Sequence, residues 1–177
     1  MSNPLPLSER ASRIKILLMD CDGVLTDGRI WLLSEGGDQK AFNTRDGLGL
    51  ELFHHAGFRS GIISGRSSSA AERRARELGM AFVYLGCSSK LMAFEQMLAT
   101  AGVSSDEVAF IGDDLNDIPV MLRCGLGVAV ADAVAEAIEK AHYVTRARGG
   151  RGAVREVVEL ILKEQNCWSQ LMERFLG

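Results

Sequence analysis

Two aspartates, Asp20 and Asp22, lie at the end of an apolar run, Ile16–Met19. Four consecutive apolar residues predict a parallel strand that is covered on both faces, and such strands bind ligands at their carboxyl ends. Two carboxylates at this edge repel each other unless a cation or a proton lies between them. The pair therefore favours a site for a hard divalent cation, where one aspartate attacks phosphorus and the other transfers a proton. An Asp-x-Asp pair alone is weak evidence, because such pairs also form turns.

Three further polar residues follow in an order that suits phosphoryl transfer. Ser64 ends a second apolar run, Lys90 opens a predicted helix over Lys90–Ala101, and Asp113 follows the apolar run 109–112. A hydroxyl group and the amides of a helix N-terminus bind phosphate oxygens, and a lysine neutralises their charge. A metal ion bridges carboxylates and phosphate. The order Asp-x-Asp, Ser, Lys, Gly-Asp-Asp-x-x-Asp resembles the four motifs of the haloacid dehalogenase-like phosphatases.

The elements that must hold these residues alternate regularly between strand and helix. This alternation predicts an α/β fold, a three-layer, Rossmann-like, doubly wound parallel sheet with helices on both faces. Asp46 is predicted to cap a helix that ends near Ala56, and residues 115–124 are predicted to form another. The resemblance makes the sheet haloacid dehalogenase-like. The intervals between the motifs are too short to contain a cap domain.

The chain of 177 residues predicts one compact domain at 13–164, between an N-terminal extension at 1–12 and a C-terminal tail at 165–177. A protruding β-hairpin is expected at about 28–43, around the turn Gly36–Asp38. Its strand Ile30–Leu33 is apolar on both faces, and an isolated ribbon of this kind is marginal. We expect hairpins of several subunits to pack together and roof the site; the alternative is that the hairpin folds back on its own sheet.

Composition excludes several classes of function. The net charge of −3 gives no general attraction to nucleic acid, and no apolar run is long enough for a membrane span. Arginines near the motifs instead favour a small, doubly anionic substrate. The four cysteines have neither CxxC nor metal-ligand spacing, so we expect reduced thiols and a cytoplasmic protein. The N-terminal residues lack the apolar core of a signal peptide.

A closer resemblance covers residues 13–162. Five segments of the chain resemble the 3-deoxy-D-manno-octulosonate 8-phosphate phosphatases, and the two nearest the C-terminus are the most specific. The resemblance implies a lidless, tetrameric, Mg²⁺-dependent enzyme that hydrolyses a phosphorylated eight-carbon sugar acid during lipopolysaccharide core synthesis in a Gram-negative cytoplasm. The segments that carry the resemblance are Asp20–Gly28, Lys40–Gly47, Gly112–Asp114, Val128–Ala133 and Tyr143–Glu156.

The resemblance also implies roles for single residues. Asp20 is the nucleophile that forms an aspartyl-phosphate, and Asp22 is the general acid and then the general base. Asp20 and Asp113 bind Mg²⁺ through their side chains, and Asp22 does so through its backbone carbonyl. Ser64 and Lys90 hold the phosphoryl oxygens. For Asp114, Asn116 and Asp117 the sequence leaves metal or substrate contact undecided, and helix capping or support of the ligands is favoured for the two aspartates.

Substrate contacts are assigned by the same resemblance to a loop and two arginines. Arg66 and Arg74 are eight residues apart, about two helical turns, so both are expected on one helix face. The family more often has Val at Thr44 and an aromatic residue at Leu48, beside the substrate loop. The predicted substrate-binding residues are Asn43, Thr44, Arg45, Asp46, Gly47, Arg66, Arg74 and Lys90.

Three other functions fit parts of this pattern. A phosphatase for nine-carbon, sialic-acid-type sugar phosphates has Glu at the position of Arg66 and Lys at that of Glu77, so both residues favour the eight-carbon substrate. A catalytically silent oligomerisation domain of the same fold would not need the intact motif residues. A phospho-acceptor signalling receiver is shorter and needs no Ser-Gly-Arg beside a phosphate.

Overall fold

The computed structural model describes residues 5–176, in which strands and helices alternate. The strands are β1 Ile16–Met19, β2 Trp31–Leu32, β3 Asp38–Gln39, β4 Arg59–Ile63, β5 Phe82–Tyr84, β6 Val108–Gly112, β7 Leu126–Ala129 and β8 Tyr143–Val144. Six of them form a parallel sheet in the order β5-β4-β1-β6-β7-β8, and β2 and β3 form an antiparallel hairpin. The predicted α/β parallel sheet is confirmed.

The helices lie on both faces of this sheet. They are α1 Leu7–Ser12, α2 Thr44–His55, α3 Ser69–Glu77, α4 Lys90–Ala101, α5 Ile118–Met121, α6 Ala135–Lys140, α7 Ala153–Glu164 and α8 Trp168–Leu176. Side chains of a strand alternate between its faces, so Leu17 packs with the cluster that contains Phe53 of α2 and Val157 of α7. Leu18 points the other way, into the cluster with Phe94 of α4. The result is three layers with a core on each side of the sheet.

The central position of β1 determines where the site lies. Met19 at its end is in register with Ile62 of β4 on one side and with Ile111 of β6 on the other. All four residues of β1 are buried, as expected for an interior parallel strand. The residues that follow β1, β4 and β6 therefore meet at the carboxyl edge of the sheet, where open α/β sheets bind ligands.

Helix α2 begins differently from the prediction. Its cap is Asn43, which has extended backbone angles and whose side chain accepts a hydrogen bond from the Arg45 N–H at 2.8 Å. Asp46 lies inside the helix, and its buried carboxylate accepts hydrogen bonds from the N–H groups of Gly152 at 3.2 Å and Arg155 at 2.8 Å. The prediction that Asp46 caps this helix is wrong, because Asp46 instead joins α2 to the N-terminus of α7.

Two other elements are shorter than the sequence predicts. Helix α5 starts only at Ile118, because residues 114–117 form a turn and Pro119 lies at the start of the helix. The hairpin at about 28–43 is present, but only two residues on each side pair as strands. Among the described residues the hairpin is a separate two-stranded sheet that does not pair with the main sheet.

Both ends of the described chain form helices that pack on the domain. Ala11 of α1 is fully buried, and the Arg10 guanidinium donates a hydrogen bond to the Gly125 carbonyl at 2.6 Å. Leu171 of α8 packs against the core, whereas Phe175 is exposed. The boundaries at 13 and 164 stay predictions. All four cysteines are free thiols, and no helix within residues 5–176 is long and apolar enough to cross a membrane.

Candidate active site

The residues that follow the central strands converge on a cavity of about 150 Å³ at the carboxyl edge of the sheet. Asp20 follows β1, and its N–H donates to the carbonyl of Ile111 in β6 at 3.0 Å. This bond fixes Asp20 beside the end of β6, which Asp113 follows. The cavity is lined by Asp20, Asp22, Ser64, Gly65, Arg66, Lys90, Asp113, Asp114 and Asn116.

Lys90 supplies a buried positive charge to this cavity. It is the first residue of α4, whose cap Ser89 accepts a hydrogen bond from the Met92 N–H. Its Nζ lies 3.0 Å from Oδ2 of Asp20 and 2.6 Å from Oδ1 of Asp117. Burial lowers the pKa of Lys90, but the two carboxylates more than offset this and raise the pKa above its ordinary value. Lys90 therefore stays charged and can bind an anion.

The carboxylates carry more negative charge than the lysine balances. Burial, together with the charge of Asp117, raises the pKa of Asp20 to about 6. Burial, followed by the charges of Asp117 and Asp20, raises the pKa of Asp113 to about 8. Within the described chain, Oδ1 of Asp20 and Oδ1 of Asp113 are buried without a hydrogen-bond partner. Buried carboxylate oxygens of this kind fit a hard divalent cation.

Asp117 has a different environment, although its carboxylate lies within 4.8 Å of those of Asp20 and Asp113. One of its oxygens accepts the N–H groups of Asp113 at 2.9 Å and Asp114 at 3.1 Å, and the other pairs with Lys90. Asp117 is fully buried. Since both oxygens are engaged, Asp117 holds the loop of Asp113 and the ammonium of Lys90 in place.

Ser64 and Arg66 also line this cavity. Ser64 follows β4 and is buried, and its Oγ accepts a hydrogen bond from the Arg66 N–H at 3.3 Å. Helix α3 begins only at Ser69, so Arg66 lies outside it. The expectation that Arg66 and Arg74 share one helix face is therefore wrong, because the turn between Ser64 and Ser69 breaks the periodicity.

The other predicted substrate residues lie outside the cavity of Asp20. The Asn43 amide donates to the Gly150 carbonyl at 3.2 Å, and Asp46 binds the start of α7. Arg45 lines a separate cavity of about 520 Å³ together with Arg146 and Arg151. Thr44 begins α2 next to Arg45.

Arg74 lies in α3, and its guanidinium is 5.9 Å from the Phe42 ring centroid. A side chain at Gly47 would collide with Arg74.

Within one chain the structure thus joins six predicted residues at the cavity and places the other six elsewhere. The six at the cavity are Asp20, Asp22, Ser64, Arg66, Lys90 and Asp113.

Asp22 has a partner to which the sequence analysis assigned no role. The turn Cys21–Leu25 places its carboxylate against the Lys40 ammonium, which comes from the hairpin. Burial lowers the pKa of Lys40, but hydrogen bonds to Asp22 and Asp38 outweigh it and raise the pKa above its ordinary value. In the sequence, Lys40 lies in the predicted hairpin, two residues after Asp38 of the predicted turn.

Gly23 allows the close approach of Asp113. Its φ is +94°, and a Cβ at this position would collide with the Asp113 carboxylate.

We expect Gly23→Ala to lower divalent-cation affinity about 10–100-fold, the usual effect of disturbing the support of a metal ligand. Calorimetric titration with Mg²⁺ measures this. Gly36→Ala is the matched control, because Gly36 has a similar φ of +91° and open space around it. Equal affinities of both variants and the wild type would contradict the proposed crowding.

Comparison with known proteins gives consistent matches. Residues 77–157 match a family model described as haloacid dehalogenase-like hydrolase. The 3-deoxy-D-manno-octulosonate 8-phosphate phosphatase of Yersinia pestis is 49% identical over 158 residues, covering 89% of this chain and 84% of that protein. The same phosphatase of Escherichia coli K12 is 46% identical, covering 88% and 83%. A crystal structure of the Moraxella catarrhalis enzyme, in complex with magnesium ion, phosphate ion and a KDO molecule, superposes with a TM-score of 0.92 at 40% identity, covering 95% and 97%.

Proposed function

Because the chain belongs to the family of 3-deoxy-D-manno-octulosonate 8-phosphate phosphatases, which are phosphoric monoester hydrolases, we propose that it hydrolyses that sugar acid phosphate. One observation carries the proposal: Asp20, Asp22, Ser64, Lys90 and Asp113 line one cavity at the end of the central strands. The products are the free sugar acid and inorganic phosphate. The proposal includes a place in lipopolysaccharide core synthesis and in the cytoplasm.

In the proposed first step, a carboxylate oxygen of Asp20 attacks phosphorus. Its Oδ2 lies 3.0 Å from Nζ of Lys90, and its Oδ1 has no hydrogen-bond partner in residues 5–176. One of the two oxygens reacts, and the other stays available to the cation. A bond forms between Asp20 and phosphorus as the bond from phosphorus to the sugar oxygen breaks. Asp22, as the general acid, gives a proton to that sugar oxygen, so the sugar acid leaves as a neutral alcohol at this position.

In the second step, the Asp22 carboxylate takes a proton from a water molecule. The water oxygen attacks the phosphorus of the aspartyl-phosphate, and the bond to Asp20 breaks. Inorganic phosphate leaves, Asp20 is restored, and Asp22 has regained the proton that it gave to the sugar. Asp22 lines the same cavity as Asp20, as this exchange of roles requires.

We propose Mg²⁺ as the cation of this site. The side chains of Asp20 and Asp113 and the backbone carbonyl of Asp22 would hold it, and the two orphaned carboxylate oxygens support this assignment. When bound, it neutralises negative charge on the carboxylates and on the phosphoryl group. The Ser64 hydroxyl and the Lys90 ammonium bind the phosphoryl oxygens, and Asp117 keeps Lys90 aimed at them.

The sugar acid has fewer proposed contacts at this cavity than the phosphoryl group. Arg66 at the cavity wall is the proposed contact for its carboxylate within the same chain. The remaining proposed contacts, in the loop 43–47 and at Arg74, lie away from this cavity. A neighbouring subunit could complete the site with them, and the proposal therefore includes a homotetramer.

The hairpin supports such an assembly, because it exposes four adjacent apolar side chains. Their exposed fractions are Ile30 43%, Trp31 62%, Leu32 75% and Leu33 45%. Contiguous exposed apolar surface of this kind is typical of an interface. Light scattering on the intact protein tests the assembly, and a monomer with full activity would contradict it.

Substrate identity is tested by phosphate release from a panel of eight- and nine-carbon sugar acid phosphates in the presence of Mg²⁺. We expect the highest kcat/KM for the eight-carbon substrate. Arg66 and Glu77 are the two residues that favour the eight-carbon substrate in the sequence. Arg66 lines the cavity, and Glu77 pairs with Arg74 at 3.6 Å. A preference for the nine-carbon substrate would favour the sister activity. No release from any member would favour a silent oligomerisation domain.

A further inference from the structure

The hairpin contributes a fully buried ammonium group to the neighbourhood of Asp22. Lys40 directly follows β3, and its side chain is only 1% exposed. It forms an ion pair with Oδ1 of Asp22 and lies 3.1 Å from Oδ2 of Asp38. Burying an ammonium group costs folding free energy unless its N–H groups are hydrogen-bonded to acceptors. A lysine in this position is therefore held by specific partners.

Asp38 is itself anchored to the main domain. Its Oδ1 accepts a hydrogen bond from the Ser68 hydroxyl at 2.8 Å, and its side chain is 6% exposed. Ser68 is the cap of α3 and accepts the N–H of Ala71 at 3.2 Å. A continuous polar chain thus runs from Asp22 through Lys40 and Asp38 to the start of α3.

The two oxygens of Asp22 have unequal surroundings. Oδ1 is bound by Lys40, whereas Oδ2 is buried and lacks a hydrogen-bond partner among the described residues. Nε of the half-exposed Arg66 guanidinium lies 3.6 Å from Oδ2. One oxygen is therefore fixed and the other is free for proton exchange.

We propose that Lys40, held by Asp38 and Ser68, is a positioning residue that fixes the Asp22 carboxyl group by Oδ1 and leaves Oδ2 to exchange protons with substrate and water. This inference rests on the proposed function. Lys40 keeps its own protons: Oδ2 gives one proton to the departing sugar oxygen and takes one from the attacking water. Since general acid–base groups act only when correctly placed, Lys40 contributes to kcat.

The test is a double-mutant cycle between Lys40→Met and Asp22→Asn. Lys40→Met keeps most of the length of the side chain and removes its charge. We expect kcat to fall about 10–100-fold while KM changes less than about threefold, because misplacing a general acid–base group costs at most the lower end of its full effect of about 10²–10⁴. In the Asp22→Asn background, Lys40→Met should lower kcat by less than about threefold, because coupled residues are non-additive. Losses that multiply would show a purely structural role and overturn the proposal.

A second substrate separates positioning from a general loss of structure. The leaving group of 4-nitrophenyl phosphate departs without a proton, so Lys40→Met should still transfer the phosphoryl group to the enzyme at a near wild-type rate and show a burst of 4-nitrophenolate. An equal slowing of this burst and of sugar phosphate turnover would overturn the proposal. Lys140→Met is the matched control, because Lys140 is exposed and pairs only with its neighbour Glu139 within the described chain.

Two further arms keep the result decisive. If Lys40→Met unfolds, Asp38→Asn retains the shape and the ammonium; we expect a smaller fall in kcat, which again disappears in the Asp22→Asn background. Wild-type kcat in both Lys40→Met and Asp38→Asn would overturn this inference alone. A wild-type protein that releases no phosphate from the sugar substrate would instead overturn the proposed function.

Discussion

Asp20→Asn is expected to abolish turnover. An amide is a poor nucleophile and a weaker ligand for a hard cation, so the change removes two functions of the same side chain. The structure adds a third reason, because Lys90 would lose one of its two carboxylate partners. Phosphate release from the sugar acid phosphate, measured with saturating Mg²⁺, checks this expectation.

Asp22→Asn is the matched comparison, because it makes the same carboxylate-to-amide change two residues further along the chain. The backbone carbonyl that would bind the cation is unchanged, so Mg²⁺ affinity should remain while proton transfer is lost. We expect kcat to fall by about 10²–10⁴, the range of general acid–base catalysis. Near-wild-type activity of both variants would refute the assignment of these two aspartates.

Removal of the metal is expected to abolish activity as completely as loss of Asp20. Exhaustive chelation leaves the buried carboxylates of Asp20 and Asp113 without the cation, and the Lys90 ammonium beside Asp20 is shared with Asp117. Addition of Mg²⁺ should restore phosphate release, and Zn²⁺ should not replace it well, because the site has no sulfur or imidazole ligand within the described chain. Full activity after chelation would rule out this mechanism.

The raised pKa values of Asp20 and Asp113 predict how protein stability and Mg²⁺ affinity change with pH. Without a cation, the folded protein keeps the Asp113 proton up to about pH 8 and the Asp20 proton up to about pH 6, compared with an ordinary pKa of 3.8. The folded state then binds more protons than the unfolded state, so the stability of the metal-free protein should fall as pH rises from 3.8 towards 8. Mg²⁺ must displace these protons, so its affinity and its stabilising effect should rise over the same range. Thermal unfolding at pH 6 and pH 8, with and without MgCl₂, measures both; NaCl at equal ionic strength is the control.

The ends of parallel strands explain why much of the site was predictable. Asp20, Ser64 and Asp113 each follow an apolar run, and a parallel sheet with β1 at its centre brings such ends to one edge. Lys90 was predictable because it opens a helix after a short strand. For these residues, local pattern and topology were enough.

Contacts between distant segments were not predictable from local pattern. Lys40 reaches Asp22 only because the turn Cys21–Leu25 and the hairpin fold towards each other. Asp46 was assigned to a helix cap, but it binds the N-terminus of α7 more than 100 residues away. Arg66 and Arg74 have helical spacing, yet the turn before Ser69 removes Arg66 from the helix. In each case a tertiary contact or a turn overrides the spacing.

The site of the phosphoryl group during turnover tests the proposed role of Asp20 most directly. Asp22→Asn should slow hydrolysis of the intermediate but not its formation from 4-nitrophenyl phosphate, whose leaving group needs no proton. Acid quenching after one burst, followed by mass spectrometry of the peptide that contains Asp20, identifies the modified residue. We predict a phosphoryl group on Asp20, dependent on Mg²⁺. A phosphoryl group on another residue, or phosphate release by the Asp20→Asn variant at the wild-type rate, would show that Asp20 is not the nucleophile.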